Sequence, residues 1–161
     1  VHAAVEADPV SVLGLQRGKV PVSAFVLDGV QDLEPHLHEI REKLAAIAGT
    51  PLAWFNAHAP TLLASLRAGG CGYSSIAANF IPALYASICA PFADDPARAE
   101  AVQAFLTEAQ QTITQGYPRN AKCYLQRLGL PLTTHCRVDC RELTAADVSA
   151  LDALRDAAEA V

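Results

Sequence analysis

The first half of the chain alternates between short hydrophobic runs and helical stripes. Residues 20–27 are rich in Val, Ala and Phe with little alternation, which is typical of a parallel strand covered on both faces. After a polar loop at 28–32, residues 34–48 carry apolar side chains at helical spacing: Leu37, Ile40, Leu44 and Ile47. The pattern therefore predicts a strand, a loop and an amphipathic helix.

The same order then repeats. Residues 52–55 predict a strand, 56–60 a loop, and 61–68 a helix that ends at Gly69-Gly70. Residues 71–75 predict a further short strand. This alternation is typical of a parallel sheet with right-handed crossover helices.

Beyond Asn79 the pattern is helical throughout. Four helices are predicted, at 82–89, from the Asp95 cap to 113, at 118–128, and from the capping box of Thr144 and Asp147 onward. A short helix is also expected at 9–15, before the first strand. We therefore predict two regions: a strand-and-helix region over 1–81, and a helical extension packed on it over 82–161.

Composition narrows the class of protein. The chain has 161 residues with 52% hydrophobic content, enough to bury a core, and its net charge of −5 favours neither nucleic acid nor an anionic membrane surface as a partner. No apolar run approaches the roughly 20 residues that a membrane span needs. The start of the chain lacks the basic and apolar regions of a signal peptide. These features predict a cytoplasmic protein.

The cysteines and the missing methionine add two expectations. The five cysteines are scattered and odd in number, which favours free thiols in a reducing compartment over a disulfide framework. The sequence contains no Met, even at position 1, so we expect a fragment of a longer chain.

Two stretches carry a family resemblance: residues 20–33, VPVSAFVLDGVQDL, and residues 68–82, AGGCGYSSIAANFIP. Together they resemble the C-terminal half of the dihydrodipicolinate synthase / N-acetylneuraminate lyase family of (β/α)₈-barrel aldolases. Residues 72–79 follow the family pattern Gly-Val-Ile-Ser-Val-Thr-Ala-Asn closely. The resemblance extends over residues 9 to 155.

The resemblance implies an α/β fold: a partial (β/α)₈ TIM barrel, containing its last three strands, followed by a C-terminal helical region. A complete barrel has eight strands in about 250 residues. Three strands cannot close a barrel and leave two open edges. The chain could therefore belong to a longer protein, pair with another copy, or form a small open sheet, and the first interpretation is favoured. Family members are often dimers or tetramers, so a homo-oligomer is expected.

The resemblance also questions the chemistry. The family forms a Schiff base between a lysine and pyruvate or another 2-oxo acid, and the matching position here is Leu27. Lys19 precedes its strand, Lys43 lies on the polar side of a helix, and Lys122 matches a lysine away from the family's pocket. Two further features of the family do not occur in this sequence. One is the loop that holds the substrate carboxylate, and the other is the tyrosine that relays protons. No catalytic residue is therefore assigned.

Substrate contacts are expected at the C-terminal ends of the strands, where such barrels place their sites. The candidate residues are Asp28, Asn56, His58, Ser74, Ser75 and Asn79. Three have simpler alternatives: Asp28 as a loop cap, His58 as a partly exposed loop histidine in place of an acid/base or metal ligand, and Asn79 as the cap of the helix near Pro82. Ser74 and Ser75 have no His-Asp pattern that would indicate a serine nucleophile.

Metal and cofactor motifs are weak. Cys136 and Cys140 with His135 lack CxxC spacing, and His36 and His38 point to different helix faces, so no metal is predicted. No glycine-rich phosphate loop occurs, and no cofactor is predicted. Two functions remain open: a lyase or aldolase of a 2-oxo acid that does not use the Schiff-base route in this chain, or a non-catalytic small-acid-binding or assembly protein on the same scaffold.

Overall fold

A three-stranded parallel sheet lies in the first half of the chain. The computed structural model describes residues 20–22, 33–89 and 94–161. Within them, strands β1 (Val20–Val22), β2 (Leu52–Asn56) and β3 (Gly72–Tyr73) pair in the order β1-β2-β3. Val20 aligns with Leu52, and Asn56 aligns with Tyr73. The predicted parallel order is confirmed, whereas residues 23–27, the loop at 28–32 and the helix expected at 9–15 lie outside the described residues.

Helices connect the strands as the hydrophobic spacing predicts. Helix α1 (Glu34–Ile47) begins with a proline in its first turn, and its Ile40 is buried. A 3₁₀ turn (Ala59–Thr61) leads into helix α2 (Leu62–Arg67). The chain leaves α2 through Gly69, whose φ of +104° favours glycine, and Gly70, where a Cβ atom would lie 2.6 Å from Ser65 Oγ.

Four helices follow the 3₁₀ turn at Ile76–Asn79. They are α3 (Pro82–Cys89), α4 (Pro96–Thr114), α5 (Arg119–Arg127) and α6 (Ala145–Ala160). Asp95 caps α4 by accepting the Arg98 N–H at 3.0 Å. Thr144 and Asp147 form the predicted capping box of α6. The cap expected from Asn79 is not formed, because its side chain makes no hydrogen bond to described residues. Asn79 is instead the last residue of the 3₁₀ turn, three residues before α3 begins at Pro82.

The hydrophobic core joins both parts of the chain. One cluster contains residues of α2, β3 and all four later helices, with Leu62, Leu106 and Ile113 fully buried. The rings of Tyr73 and Tyr85 stack within it, with centroids 4.2 Å apart. A smaller cluster comprises Ala53, Phe55 and Cys71. The main cluster contains residues from both sides of the boundary expected between residues 81 and 82.

Candidate functional site

The carboxyl end of β2 enters a buried polar turn. Asn56, the last residue of the strand, is 3% exposed. Its Oδ1 accepts the N–H of His58 at 2.9 Å, and its Nδ2 donates to Thr61 Oγ1 at 3.0 Å. Both hydrogen bonds stay within five residues of sequence, so one amide closes the turn. A hydrophobic residue at position 56 could make neither of these hydrogen bonds, so the turn after β2 depends on the asparagine amide.

Thr61 connects this amide to an imidazole. His58 is 4% exposed, and its Nδ1 lies 3.1 Å from Thr61 Oγ1. The hydroxyl has a single proton, which it donates either to His58 Nδ1 or to the His58 carbonyl oxygen at 3.3 Å. The rotation of the Thr61 hydroxyl and the tautomer of His58 are therefore coupled.

A second buried histidine comes from the preceding helix. His36, in the first turn of α1, is 7% exposed, and its ring centroid lies 4.8 Å from that of His58 with a tilt of 47°. Its Nε2 is buried, with no hydrogen-bond partner among the described residues. Leaving a buried imidazole nitrogen without a hydrogen bond costs free energy. Among the described side chains of Asn56, His58, Thr61 and His36, this nitrogen is the buried polar atom without a partner. We call Asn56, His58, Thr61 and His36 the strand-end cluster.

Gln103 of α4 supports the cluster from outside. Its Nε2 donates to the carbonyl oxygen of Ala59 at 2.9 Å, and its Oε1 accepts the N–H of Leu63 at 2.7 Å. One side chain thus satisfies backbone groups on both sides of Thr61. This fixes the turn relative to the helical layer.

The other predicted residues are more loosely placed. Ser74 is exposed, and its N–H extends the β2–β3 ladder by donating to the Asn56 carbonyl oxygen at 2.8 Å. Ser75 is half-buried and precedes the 3₁₀ turn, and Asn79 is exposed at the end of that turn. Asp28 and Leu27 lie outside the described residues. Of the six predicted residues, the structure therefore joins Asn56 and His58 through side-chain contacts and Ser74 to Asn56 through the backbone.

The described lysines are engaged elsewhere. Lys43 Nζ lies 2.7 Å from Glu39 on α1, and Lys122 donates to the carbonyl oxygen of His135. Neither belongs to the strand-end cluster. Lys19 lies outside the described residues. Among the described residues, no group of three His, Cys, Asp or Glu side chains is arranged to hold a metal ion.

Tyr73 is the phenol aligned with Asn56 in the sheet. Its ring packs in the hydrophobic cluster against Tyr85, and burial raises its pKa above the ordinary value. Burial likewise raises the pKa of Tyr85. Both phenols are buried core residues.

Sequence reasoning missed Thr61 and Gln103, and it considered His36 only as a metal ligand. The signal for Thr61 was present, because Asn-x-His-x-x-Thr places the hydroxyl one 3₁₀ turn after the strand. His36 and Gln103 reach the turn from other helices, and Gln103 is 40 residues from its partner Leu63. Contacts of that range carry no local signal.

A shallow groove lies apart from this cluster. It has a volume of about 310 Å³ and is lined by α1 and α2, chiefly by Leu37, Ile40, Arg41 and Arg67. Arg67 is paired with Glu100 at 2.7 Å. The groove lies on a helix–helix face and contains none of the predicted site residues. No helix in the described part of the chain is both long and apolar enough to span a membrane.

Comparison with known proteins identifies relatives of this fold. No curated protein sequence shows significant similarity to the chain. The structure is similar to that of YagE, a prophage protein of the dihydrodipicolinic acid synthase family from E. coli K12 in complex with pyruvate. The TM-score is 0.66 at 20% identity, over 82% of this chain and 45% of YagE.

Two further solved structures are similar. Dihydrodipicolinate synthase from Thermotoga maritima gives a TM-score of 0.65 at 18% identity, over 83% of this chain and 46% of that one. N-acetylneuraminate lyase from Fusobacterium nucleatum, also solved with pyruvate, gives 0.63 at 15% identity, over 74% of this chain and 40% of that one. The chain thus spans a little under half the length of these relatives.

The family match covers most of the chain. The sequence profile of the dihydrodipicolinate synthetase family matches residues 26–158. This range begins one residue before Leu27 and includes the strand-end cluster, helices α1 to α5 and all but the last two residues of α6. The chain therefore belongs to the dihydrodipicolinate synthetase family.

Proposed function

We propose that this chain is the C-terminal portion of a (β/α)₈ barrel and binds a small 2-oxo acid, such as pyruvate, at the carboxyl ends of its strands without forming an imine. In this proposal, β1 to β3 are the sixth to eighth strands and residues 82–161 are the helical extension. Support comes from the parallel order of the strands and from the family match. The parent protein would be a lyase or aldolase of the family.

The observation that carries the binding proposal is the buried, unpartnered Nε2 of His36 beside His58. Parallel strands of a barrel present their sites at the carboxyl end, and the strand-end cluster lies there. A carboxylate or keto oxygen would accept a hydrogen bond from this nitrogen and remove the cost of leaving it unsatisfied. Two relatives of similar structure were solved with pyruvate, which is an acid of this class.

Leu27 supports the absence of an imine. An imine requires an amine that is neutral part of the time, and leucine has none. The two described lysines make contacts outside the strand-end cluster. Any lysine for lyase chemistry would come from the rest of a longer chain or from a partner.

Borohydride trapping tests the imine directly. The purified chain, shown by circular dichroism to be folded, is incubated with pyruvate and sodium borohydride, and its intact mass is measured. We expect the wild-type mass to be unchanged, because no amine occupies the Schiff-base position. A pyruvate adduct on the wild-type chain would overturn the proposed route.

Two lysine variants show whether the absence of an adduct on the wild-type chain is due to Leu27. Leu27→Lys restores the lysine at the position given by the family resemblance, and we expect it to trap pyruvate. Leu128→Lys places a lysine at an exposed position after α5 and serves as the control, with no adduct expected. Failure of Leu27→Lys to trap pyruvate above this control would contradict the proposal that the chain retains the family's site.

A second candidate function is assembly. In the described sheet, β1 and β3 each have one neighbouring strand, β2, so each leaves an edge that another strand could pair with. We propose a homo-oligomer or a complex with the remainder of the barrel. Light scattering after size exclusion tests this: a mass above that of one 17.0 kDa chain is expected, and a monomer at all concentrations would exclude self-assembly.

A further inference from the structure

One face of α5 clamps the segment that leads to α6. Arg119 forms an ion pair with Glu142, Lys122 donates to the carbonyl oxygen of His135, and Gln126 Nε2 donates to that of Leu132 at 2.6 Å. These three side chains lie at helical positions i, i+3 and i+7, on one side of α5. Residues 130–143 are therefore fixed along the helix although they form no helix or strand themselves.

This clamp brings together two thiols. Lys122 and Arg119, one turn apart on α5, hold His135 and Glu142. A bend at Arg137-Val138 turns the segment back between these two anchors, so Cys136 and Cys140 lie on the two arms of the bend. The Cys136 Sγ also lies 3.3 Å from the carbonyl oxygen of Thr134. Both cysteines are free and half-buried, so a small reagent has access to them.

Cys140 lies at the positive end of α5. Arg119, the first residue of the helix, is paired with Glu142, two residues from Cys140. Arg119, chiefly through its side chain, lowers the pKa of Cys140 below its ordinary value. Partial burial and then the neighbouring Cys140 sulfur raise the pKa of Cys136. Arg119 and Lys122 are the cations that act on the pair, and Glu142 is paired with Arg119. Arg137, Asp139 and Arg141 adjoin the two cysteines in the same segment.

From this arrangement we propose that Cys136 and Cys140 are a redox-active pair, in which Cys140 is the attacking thiolate and Cys136 the resolving thiol, and that they form a reversible disulfide on meeting a small-molecule disulfide. The motif His-Cys-x-x-x-Cys that did not fit a zinc site therefore has a different chemistry. The site is distinct from the strand-end cluster, and it does not depend on the binding of a 2-oxo acid.

The exchange proceeds in two balanced steps. The Cys140 thiolate attacks one sulfur of the small disulfide, a new S–S bond forms, and one small thiolate leaves. Cys136 loses its proton to solvent, attacks the Cys140 sulfur and expels the second small thiolate. Two protein thiols are oxidised to one disulfide while the reagent is reduced to two thiols.

Trypsin offers a direct readout because it cleaves at Arg137, between the two cysteines. The folded chain is equilibrated with mixtures of oxidised and reduced glutathione, blocked with iodoacetamide, and digested. We expect peptides 128–137 and 138–141 to be recovered joined by a disulfide, and to separate after reduction. Failure to recover the joined pair even in fully oxidised glutathione would overturn the proposal.

Alkylation rates identify the attacking thiol. Burial raises the pKa of Cys89 to about 12, so this cysteine is an internal slow reference in the same chain. At pH 7 we expect Cys140 to react with iodoacetamide at least about tenfold faster than Cys89, and faster than Cys136. Equal rates for Cys140 and Cys136 would contradict the assigned roles.

A charge variant tests the cause of the reactivity. Arg119→Met removes the guanidinium but keeps a side chain of similar length, and Arg137→Met is the matched control within the loop. We expect the first variant to raise the pH midpoint of Cys140 alkylation and to slow the reaction at pH 7 by about threefold or more. An unchanged profile for Arg119→Met would show that the helix end does not activate Cys140.

Discussion

The strand-end cluster and the loop between α5 and α6 are both polar, but they are held in opposite ways. In the first, Asn56, His58 and Thr61 are almost fully buried and satisfy one another through short-range hydrogen bonds. In the second, residues 130–143 are exposed or half-buried and are held by long charged or amide side chains of α5.

This contrast suits the first region to binding and the second to reaction. Buried hydrogen bonds in a low-dielectric interior fix geometry and are little affected by salt, which suits the recognition of a small acid. Exposed ion pairs contribute little to stability and weaken with ionic strength, but they tune the thiolate beside them. Variants in the first region should therefore change stability, and those in the second should change reactivity.

The largest expected effect comes from Asn56→Ala. It leaves the His58 N–H and the Thr61 hydroxyl with lost partners in a buried turn, so we expect the free energy of unfolding to fall by about 3 kcal/mol. Urea denaturation measures this. Asn79→Ala is the control, because Asn79 is exposed, and it should cost less than about 0.5 kcal/mol. Similar losses for the two variants would refute the assignment of the turn to Asn56.

A smaller effect is expected from the glutamines that bridge each region. Gln103→Leu removes hydrogen bonds to Ala59 and Leu63 in a partly buried place, and should destabilise the chain by about 1 to 2 kcal/mol. Gln126→Leu removes an exposed hydrogen bond to Leu132 and should cost under about 0.5 kcal/mol. If the order of the two losses in denaturation experiments were reversed, the comparison between the regions would be wrong.

The smallest effect at neutral pH concerns Asp147, in the first turn of α6, just after the loop. Its carboxylate accepts hydrogen bonds from Arg141 and Thr144, which hold its pKa well below the ordinary value. A depressed pKa in the folded state stabilises the protein above the ordinary pKa, and this contribution is lost as the pH falls toward the folded-state value.

We therefore expect Asp147→Asn to flatten the loss of stability between about pH 5 and pH 2 in thermal melts. Asp156→Asn, which alters an exposed carboxylate paired with Arg155, is the comparison variant. If the melting temperature fell equally steeply with decreasing pH in wild type and Asp147→Asn, the capping box would not be a source of the acid sensitivity.

Local patterns predicted most of the described elements because their signals are local. The apolar spacing of α1, the Asp95 cap of α4 and the capping box of α6 each depend on residues within one or two turns. The same holds for Asn56 and His58 at the end of β2. Asn79 shows where local prediction fails. The sequence favours it as the cap of α3, but in the structure it ends a 3₁₀ turn.

The rest of the site depends on tertiary contacts. His36 meets His58 because α1 packs beside β2, and Gln103 reaches the turn from a helix 40 or more residues away. The pairing of Cys136 with Cys140 depends on the clamp by α5, which the spacing of the two cysteines does not reveal. From the sequence, these cysteines were weighed as part of a disulfide framework and as metal ligands, and neither pattern fitted.

Binding of a small 2-oxo acid at the strand-end cluster can be followed by NMR of the histidine side chains of the folded chain during titration with pyruvate. We expect saturable shifts of the His36 and His58 imidazole signals, while those of the exposed His38 and His135 stay unchanged at constant pH. Unmoved His36 and His58 signals, or equal shifts of all four residues, would contradict binding at this cluster.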